Sequence, residues 1–283
     1  MTKEGVKMRE LTVEQKIWKG LGVFWYSVRP LLFYLCFPAL LMSFGMLLFG
    51  GRKAEEVLAG SRNFYHALGI VLTLFILHRR SKKRGSSILK DSVIDRENLA
   101  WKRVFLLFGA GFGGSVVFSA LLTVFPFPSG WMEAYHRSSG QVLLGTDQMV
   151  AMLSAVVLAP AAEEIIFRGY MLGRLLTWFN SRHAVLISSL VFALCHVSLL
   201  WMAYAFFLGL MLGWISVRED NTLYSIALHM GFNASILPIR LVNENAGMKA
   251  VWFGSHVRIA LLGVLFGLLA WWAFRAYLRE EVG

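Results

Sequence analysis

The sequence has 283 residues, of which 57% are hydrophobic and 16% are charged, and its formal net charge is +11. Its mean hydropathy of +0.59 excludes an ordinary water-soluble domain, and several apolar runs approach the roughly 20 residues that a helix needs to cross a bilayer. This composition predicts an all-α, polytopic membrane protein. The basic excess does not indicate a nucleic-acid partner, because it lies in the N-terminal segment and in one loop, where anionic membrane lipids favour it.

Residues 12–28 place apolar side chains at helical spacing and predict an interfacial amphipathic helix that leads into the first span. Eight transmembrane helices are expected after it. No polar residue separates the fifth span from the sixth, so that boundary rests on span length alone. The predicted spans are 30–49, 64–78, 104–125, 148–177, 184–199, 201–217, 223–240 and 257–277.

The loop at 79–103 is rich in lysine and arginine, which predicts that it lies in the cytoplasm. With eight crossings, both termini are then also cytoplasmic. The segment at 125–148 has few basic residues and is expected on the opposite side. We expect one membrane domain over residues 1–283, in a cell membrane, with a bacterial inner membrane favoured by the compact chain.

The segment LAPAAEEIIFRGYMLG, residues 158–173, carries charges inside a run that otherwise resembles a buried membrane helix. A charge at bilayer depth costs about 2.5–3.5 kcal/mol on insertion scales, so it indicates a function by default. Glu164 and Arg168 are four residues apart and can form an ion pair along the helix. Glu163 then has no intrahelical partner. Pro160 frees a carbonyl one turn earlier and is expected to open the helix locally.

Two further apolar helices carry polar pairs at one-turn spacing: Phe192 with His196, and His229 with Asn233. A carboxylate, two imidazoles and an amide can therefore converge on one cavity in the membrane. Such groups can be structural, because polar residues also join membrane helices by hydrogen bonds. A carboxylate and an imidazole can, however, deprotonate a water while another imidazole and an amide stabilise an oxyanion. That combination favours amide hydrolysis.

These three blocks, in this order, resemble the CPBP family of CAAX-protease and bacteriocin-processing (Abi) intramembrane proteases, over about residues 148–240. The resemblance implies a fold of about eight membrane helices with an intramembrane catalytic cavity. It also implies cleavage of a membrane-associated peptide or lipidated protein by a glutamate-activated water with a His/Asn oxyanion hole. The residues that it assigns to catalysis are Glu163, Glu164, His196, His229 and Asn233, with Arg168 and Phe192 in support.

Several alternatives remain open at this point. Glu163, His196 and His229 could supply the three protein ligands of a catalytic zinc ion. No His-Glu-x-x-His helix is present, however, and we favour no cofactor. Cys195 with His229 and Asn233 would be the set for thiol catalysis. A third alternative is a non-catalytic immunity or scaffold protein. The expected partners are membrane lipids and a peptide or lipidated-protein substrate, and the sequence does not indicate the oligomeric state.

Overall fold

The computed structural model describes residues 12–49, 61–97, 99–140 and 148–280, and the regular elements within these ranges are all helical. Six helices there are long and apolar enough to cross a bilayer. The prediction of an all-α, polytopic membrane protein is therefore confirmed. The six are Gly20–Leu48, Trp101–Val124, Gln148–Leu175, Leu199–Glu219, Thr222–Glu244 and His256–Arg279.

The number of eight spans is not confirmed, because two predicted spans fall short. Arg62–Lys83 is 22 residues long but ends in a strongly basic turn and is not apolar enough to be one of the six. Ser181–Leu194 is apolar but has only 14 residues, fewer than the roughly 20 that cross a bilayer in helical form.

For reference, the helices are numbered in chain order through the described residues. They are α1 (Val13–Phe49), α2 (Arg62–Lys83), α3 (Ile88–Asp91), α4 (Trp101–Val124), α5 (Ser129–Gly140), α6 (Gln148–Leu175), α7 (Ser181–Leu194), α8 (Leu199–Glu219), α9 (Thr222–Ala234), α10 (Ile236–Glu244), α11 (Ala246–Trp252) and α12 (His256–Arg279).

The boundary between the fifth and sixth predicted spans was wrong. The expected span 184–199 ends five residues early, at Leu194, because the backbone N–H groups of Cys195 and His196 bond to carbonyls three residues back and close the last turn. Ser198 is extended and precedes α8. This short connection brings α7 and α8 together as packed neighbours.

The predicted interfacial helix and the first span form one continuous helix, α1, which packs along α2. In the other half of the bundle, α4 lies between α9 and α12. At one end of this group, Glu219 of α8 accepts hydrogen bonds from Arg103 of α4 and Tyr277 of α12. This buried contact ties three helices together at a single carboxylate.

Glycine permits the close approach of α4 to α9, the helix that carries His229. A Cβ added at Gly111 would lie 2.1 Å from the carbonyl oxygen of Leu228. On the opposite face, a Cβ at Gly231 would lie 2.0 Å from the carbonyl oxygen of Phe108. Small residues of this kind let membrane helices pack backbone to backbone. The close spacing between α4 and α9 therefore depends on these two glycines.

Candidate active site

The helix α6 departs from regular geometry on both sides of the acidic pair. A short α-helical segment, Ala159–Glu164, lies between two π-helical segments, Ser154–Leu158 and Ile165–Leu172. Wide turns of this type are rare in proteins overall, and those that occur are often found at functional sites. They change the angular positions of the residues that follow, so the two glutamates and Arg168 do not lie where a uniform helix would place them.

Pro160 explains how Asn233 is held. In the wide turn the Ala159 N–H bonds to the carbonyl of Ser154, five residues back. At the same spacing, a backbone N–H at position 160 would bond to the carbonyl of Ala155. Pro160 has no N–H, and the Ala155 carbonyl is left free. Asn233 of α9 donates its Nδ2 to this oxygen at 2.9 Å. An amide nitrogen has two hydrogens, so Asn233 keeps one donor for another partner.

Glu164 and Arg168 form the ion pair that their spacing predicts. Arg168 Nη1 donates to Glu164 Oε1 at 2.9 Å, and both side chains are fully buried. The guanidinium also donates to the Gly209 carbonyl of α8 at 3.1 Å. Its charge is therefore neutralised inside the protein, and the pair connects α6 with α8.

Glu163 points into different surroundings from its neighbour. Its side chain is 18% exposed and lines a cavity, whereas Glu164 does not line it. Tyr34 of α1 donates its hydroxyl to Glu163 Oε1 at 2.7 Å. The Nε2 of His229 lies 3.7 Å from Glu163 Oε2. Glu163 is thus the acid of the pair that a substrate or a water can reach.

The partners of the two histidines define which ring nitrogen carries a proton. His229 Nδ1 lies 2.9 Å from Glu164 Oε1, and a carboxylate paired with arginine only accepts, so Nδ1 is the donor. His196 Nδ1 lies 3.0 Å from the Phe192 carbonyl, which also only accepts. In the neutral form of either ring, Nε2 is therefore the free acceptor.

Phe192 is the packing centre of the site. Its buried ring makes edge contacts with the rings of His196 and His229, at centroid distances of 5.0 and 5.8 Å. The Arg168 guanidinium lies over the same ring, 4.7 Å from its centroid. One aromatic side chain thus fixes both imidazoles and the buried cation.

The cavity has a volume of about 290 Å³ and is lined by Glu163, His196, His229 and Asn233 together. The structure therefore brings together the carboxylate, both imidazoles and the amide that the sequence singled out. Arg168 and Glu164 stand behind its wall. A second cavity of about 340 Å³ adjoins it and shares the walls formed by Ala155, Trp201, Tyr204 and Asn233.

The alternative sites fit the geometry less well. Among the described residues, no group of three His, Cys, Asp or Glu side chains is arranged to hold a metal ion. The zinc set Glu163, His196 and His229 therefore does not fit as placed. Cys195 donates its thiol to the Val191 carbonyl at 3.3 Å, as a packing residue does.

Two residues that line the cavity, Tyr34 and His66, were not predicted from the sequence. Tyr34 contacts Glu163, and His66 of α2 lies beside it, with ring centroids 6.1 Å apart and Nδ1 3.5 Å from Ser154 Oγ. His66 carried a signal, since it is an ionisable residue in a predicted span. Tyr34 carried none, because a single tyrosine in an apolar helix matches no spacing pattern.

Comparison with known proteins places the likeness on the same segment. Residues 145–235 match the family model described as type II CAAX prenyl endopeptidase Rce1-like. This range contains the three polar blocks and the whole catalytic set inferred from the sequence. The resemblance to CAAX-type proteases is therefore confirmed.

Two curated bacterial proteins are similar to the chain. One is named "Putative membrane peptidase YdiL", from Bacillus subtilis (strain 168), and is 25% identical over 71% of this chain and 81% of its own length. The other, UPF0177 protein YxdF from Lactococcus lactis subsp. lactis (strain IL1403), is 26% identical over 48% of this chain and 77% of its own length. No solved structure gives a significant match. Together these matches support a multi-pass membrane protease.

Proposed function

We propose that this protein is an intramembrane endopeptidase that hydrolyses a peptide bond in a membrane-associated peptide or a lipidated protein. The observation that carries the proposal is the difference in surroundings between the adjacent acids Glu163 and Glu164. Glu164 is buried against Arg168, while Glu163 faces a cavity that also contains two histidines and an amide. The match of residues 145–235 to a prenyl endopeptidase model supports the same activity.

In this account Glu163 is the general base that takes a proton from the attacking water. The Tyr34 hydroxyl holds one carboxylate oxygen, which leaves the other for the water. His196 assists, because its Nδ1 is committed to a carbonyl and its Nε2 is available as an acceptor. The water oxygen then bonds to the substrate carbonyl carbon.

Asn233 and His229 stabilise the oxyanion that forms on the carbonyl oxygen. Asn233 offers its second amide hydrogen, the first being bound by Ala155. His229 donates from Nε2 only as an imidazolium, since Nδ1 already donates to Glu164. The proton held by Glu163 passes to the leaving nitrogen, and the C–N bond breaks.

The test is cleavage of defined peptides by purified protein in liposomes, with the products identified by mass. A panel should include a peptide with a prenylated C-terminal cysteine and its unprenylated counterpart, because the proposal leaves open which class is cut. Release of defined products supports the activity. A folded protein that cleaves none of them favours the scaffold alternative.

Elemental analysis separates activation by protein groups from activation by zinc. The protein-only account expects active enzyme without stoichiometric zinc and no loss of rate in a tight chelator. Zinc at about one ion per chain, with activity lost on its removal and restored on its return, would refute it.

A further inference from the structure

A cluster of arginines lies at the end of the bundle where α2 and α6 terminate, away from the catalytic cavity. Three guanidiniums surround the ring of Tyr26 on α1: Arg29, Arg84 and Arg174 lie 5.7, 5.2 and 4.2 Å from its centroid. A fourth, Arg80, lies 5.3 Å from the ring of Phe33, which is about two turns beyond Tyr26 on α1. We call these four arginines the arginine cluster.

The positive charge of this cluster is only partly balanced by described residues. Asp91 pairs with Arg84 and also accepts hydrogen bonds from Ser81 and Ser86. Burial raises the pKa of Asp91, but these hydrogen bonds and the Arg84 charge outweigh burial and lower it overall, so Asp91 is ionised.

No carboxylate of the described residues forms an ion pair with the other three arginines. Arg80 and Arg84 lie near enough to Arg29 for their charges to repel it. The Nε of Arg29 is buried and has no hydrogen-bond partner there. Among the residues that the structure describes, four guanidiniums thus share one carboxylate, which leaves an excess of about three positive charges that an anion would stabilise.

The surrounding aromatic residues place the cluster at the depth of lipid headgroups. Trp18 and Trp25 are 66% and 53% exposed on α1, and they lie about three turns and about one turn before Arg29. Exposed tryptophans of membrane helices concentrate at the boundary between hydrocarbon and water. An anion that reaches the cluster from the lipid side at this depth is a headgroup.

We propose that Arg29, Arg80, Arg84 and Arg174 bind the phosphate of an anionic phospholipid. Guanidinium groups bind phosphate through paired, charge-assisted hydrogen bonds, and Tyr26 keeps three of them close to one another. A zwitterionic lipid carries its own ammonium next to the phosphate and therefore gains less from the excess charge. The bound lipid would join α1, α2 and α6, and so brace Tyr34 on α1 against Glu163 on α6.

The test counts lipids bound to the purified full-length protein by native mass spectrometry, with phosphatidylglycerol and phosphatidylcholine supplied at equal concentrations. The wild type should retain phosphatidylglycerol preferentially. The triple variant Arg29→Gln, Arg80→Gln, Arg174→Gln should lose this preference, with affinity falling roughly fivefold per arginine, since each basic residue near an anionic surface contributes about 1 kcal/mol. Arg84 is left in place because it pairs with Asp91.

The control is Arg275→Gln. Arg275 also lies over an aromatic ring, 5.1 Å from the centroid of Trp271, but it belongs to no cluster. Its loss should leave lipid binding unchanged.

If the triple variant does not fold, Arg174→Gln alone should show the fivefold loss, because this side chain is exposed. Equal binding of the two lipids by the wild type, or unchanged binding in Arg174→Gln, would overturn the proposal. Displacement of phosphatidylglycerol by an equal concentration of inorganic phosphate would assign the site to a soluble anion instead.

Discussion

Glu163 and Glu164 are neighbours in the chain, yet the helix directs their side chains about 100° apart and into different surroundings. One carboxylate accepts from Arg168 and His229 in a fully buried position, and the other accepts from Tyr34 at the cavity wall. Two residues of the same type are thus placed in a buried ion pair and at a cavity wall.

Replacement of Glu164 tests its structural role. Glu164→Gln leaves the buried Arg168 guanidinium without a counter-charge, and breaking such a pair costs about 3–5 kcal/mol. We expect a clear fall in melting temperature in detergent. The matched control is Glu133→Gln, which breaks the exposed Glu133–Arg137 pair at the same i, i+4 spacing. Exposed pairs contribute at most about 1 kcal/mol, so equal falls in the two variants would contradict the assignment.

Tyr34 is expected to position the base. Tyr34→Phe keeps the ring and removes the hydroxyl that donates to Glu163. A hydrogen bond to a charged group is worth about 1.5–3 kcal/mol, so kcat should fall roughly 10- to 100-fold while KM changes little. Tyr65→Phe on α2 serves as the control, because Tyr65 does not line the cavity. A change confined to KM would indicate that Tyr34 binds substrate and does not position Glu163.

At this scale the sequence predicted most of the candidate site but not all of it. The acid pair, both histidines and Asn233 were visible because ionisable and amide groups are rare in apolar helices and recur at one-turn spacing. Tyr34 was not visible, since its role depends on how α1 packs against α6. That packing is a tertiary property that spacing within one helix does not encode.

Among the elements, α6 and α9 hold the candidate site because a carbonyl freed by the irregular geometry of α6 meets a side chain of α9. Pro160 in the sequence predicted a free carbonyl, but the wide turn that precedes it decides that this carbonyl belongs to Ala155. Asn233 on α9 then takes it. The end of α7 at Leu194 was equally hidden, since the turn that separates it from α8 contains no proline or glycine.

The spacing between α4 and α9 should control the position of His229. Gly111→Ala places a Cβ against the Leu228 carbonyl, which precedes His229, and overpacking of this kind costs about 1–3 kcal/mol. We expect both melting temperature and cleavage rate to fall. Gly109→Ala, two residues away on the same helix, meets no atom within 4 Å and is the control. Similar behaviour of the two variants would show that the close approach does not matter.

For the whole molecule, the arrangement of long apolar helices supports a multi-pass membrane protein, and its orientation is a prediction. The basic loop that contains Ser86 should face the cytoplasm and the segment at Ser129 should face outward, because lysine and arginine are retained inside. In a background without Cys36 and Cys195, Ser86→Cys should resist a membrane-impermeant thiol reagent in intact cells, and Ser129→Cys should react. The reverse pattern would invert the orientation.

The most direct test of the central claim compares the wild type with Glu163→Gln in the same liposomes, with product release followed by mass. Glutamine keeps the size of the side chain and an oxygen that can accept from Tyr34, but it cannot take a proton from water. The account predicts defined products from the wild type and background release from Glu163→Gln, at an unchanged melting temperature. Product release at the wild-type rate by Glu163→Gln would contradict it.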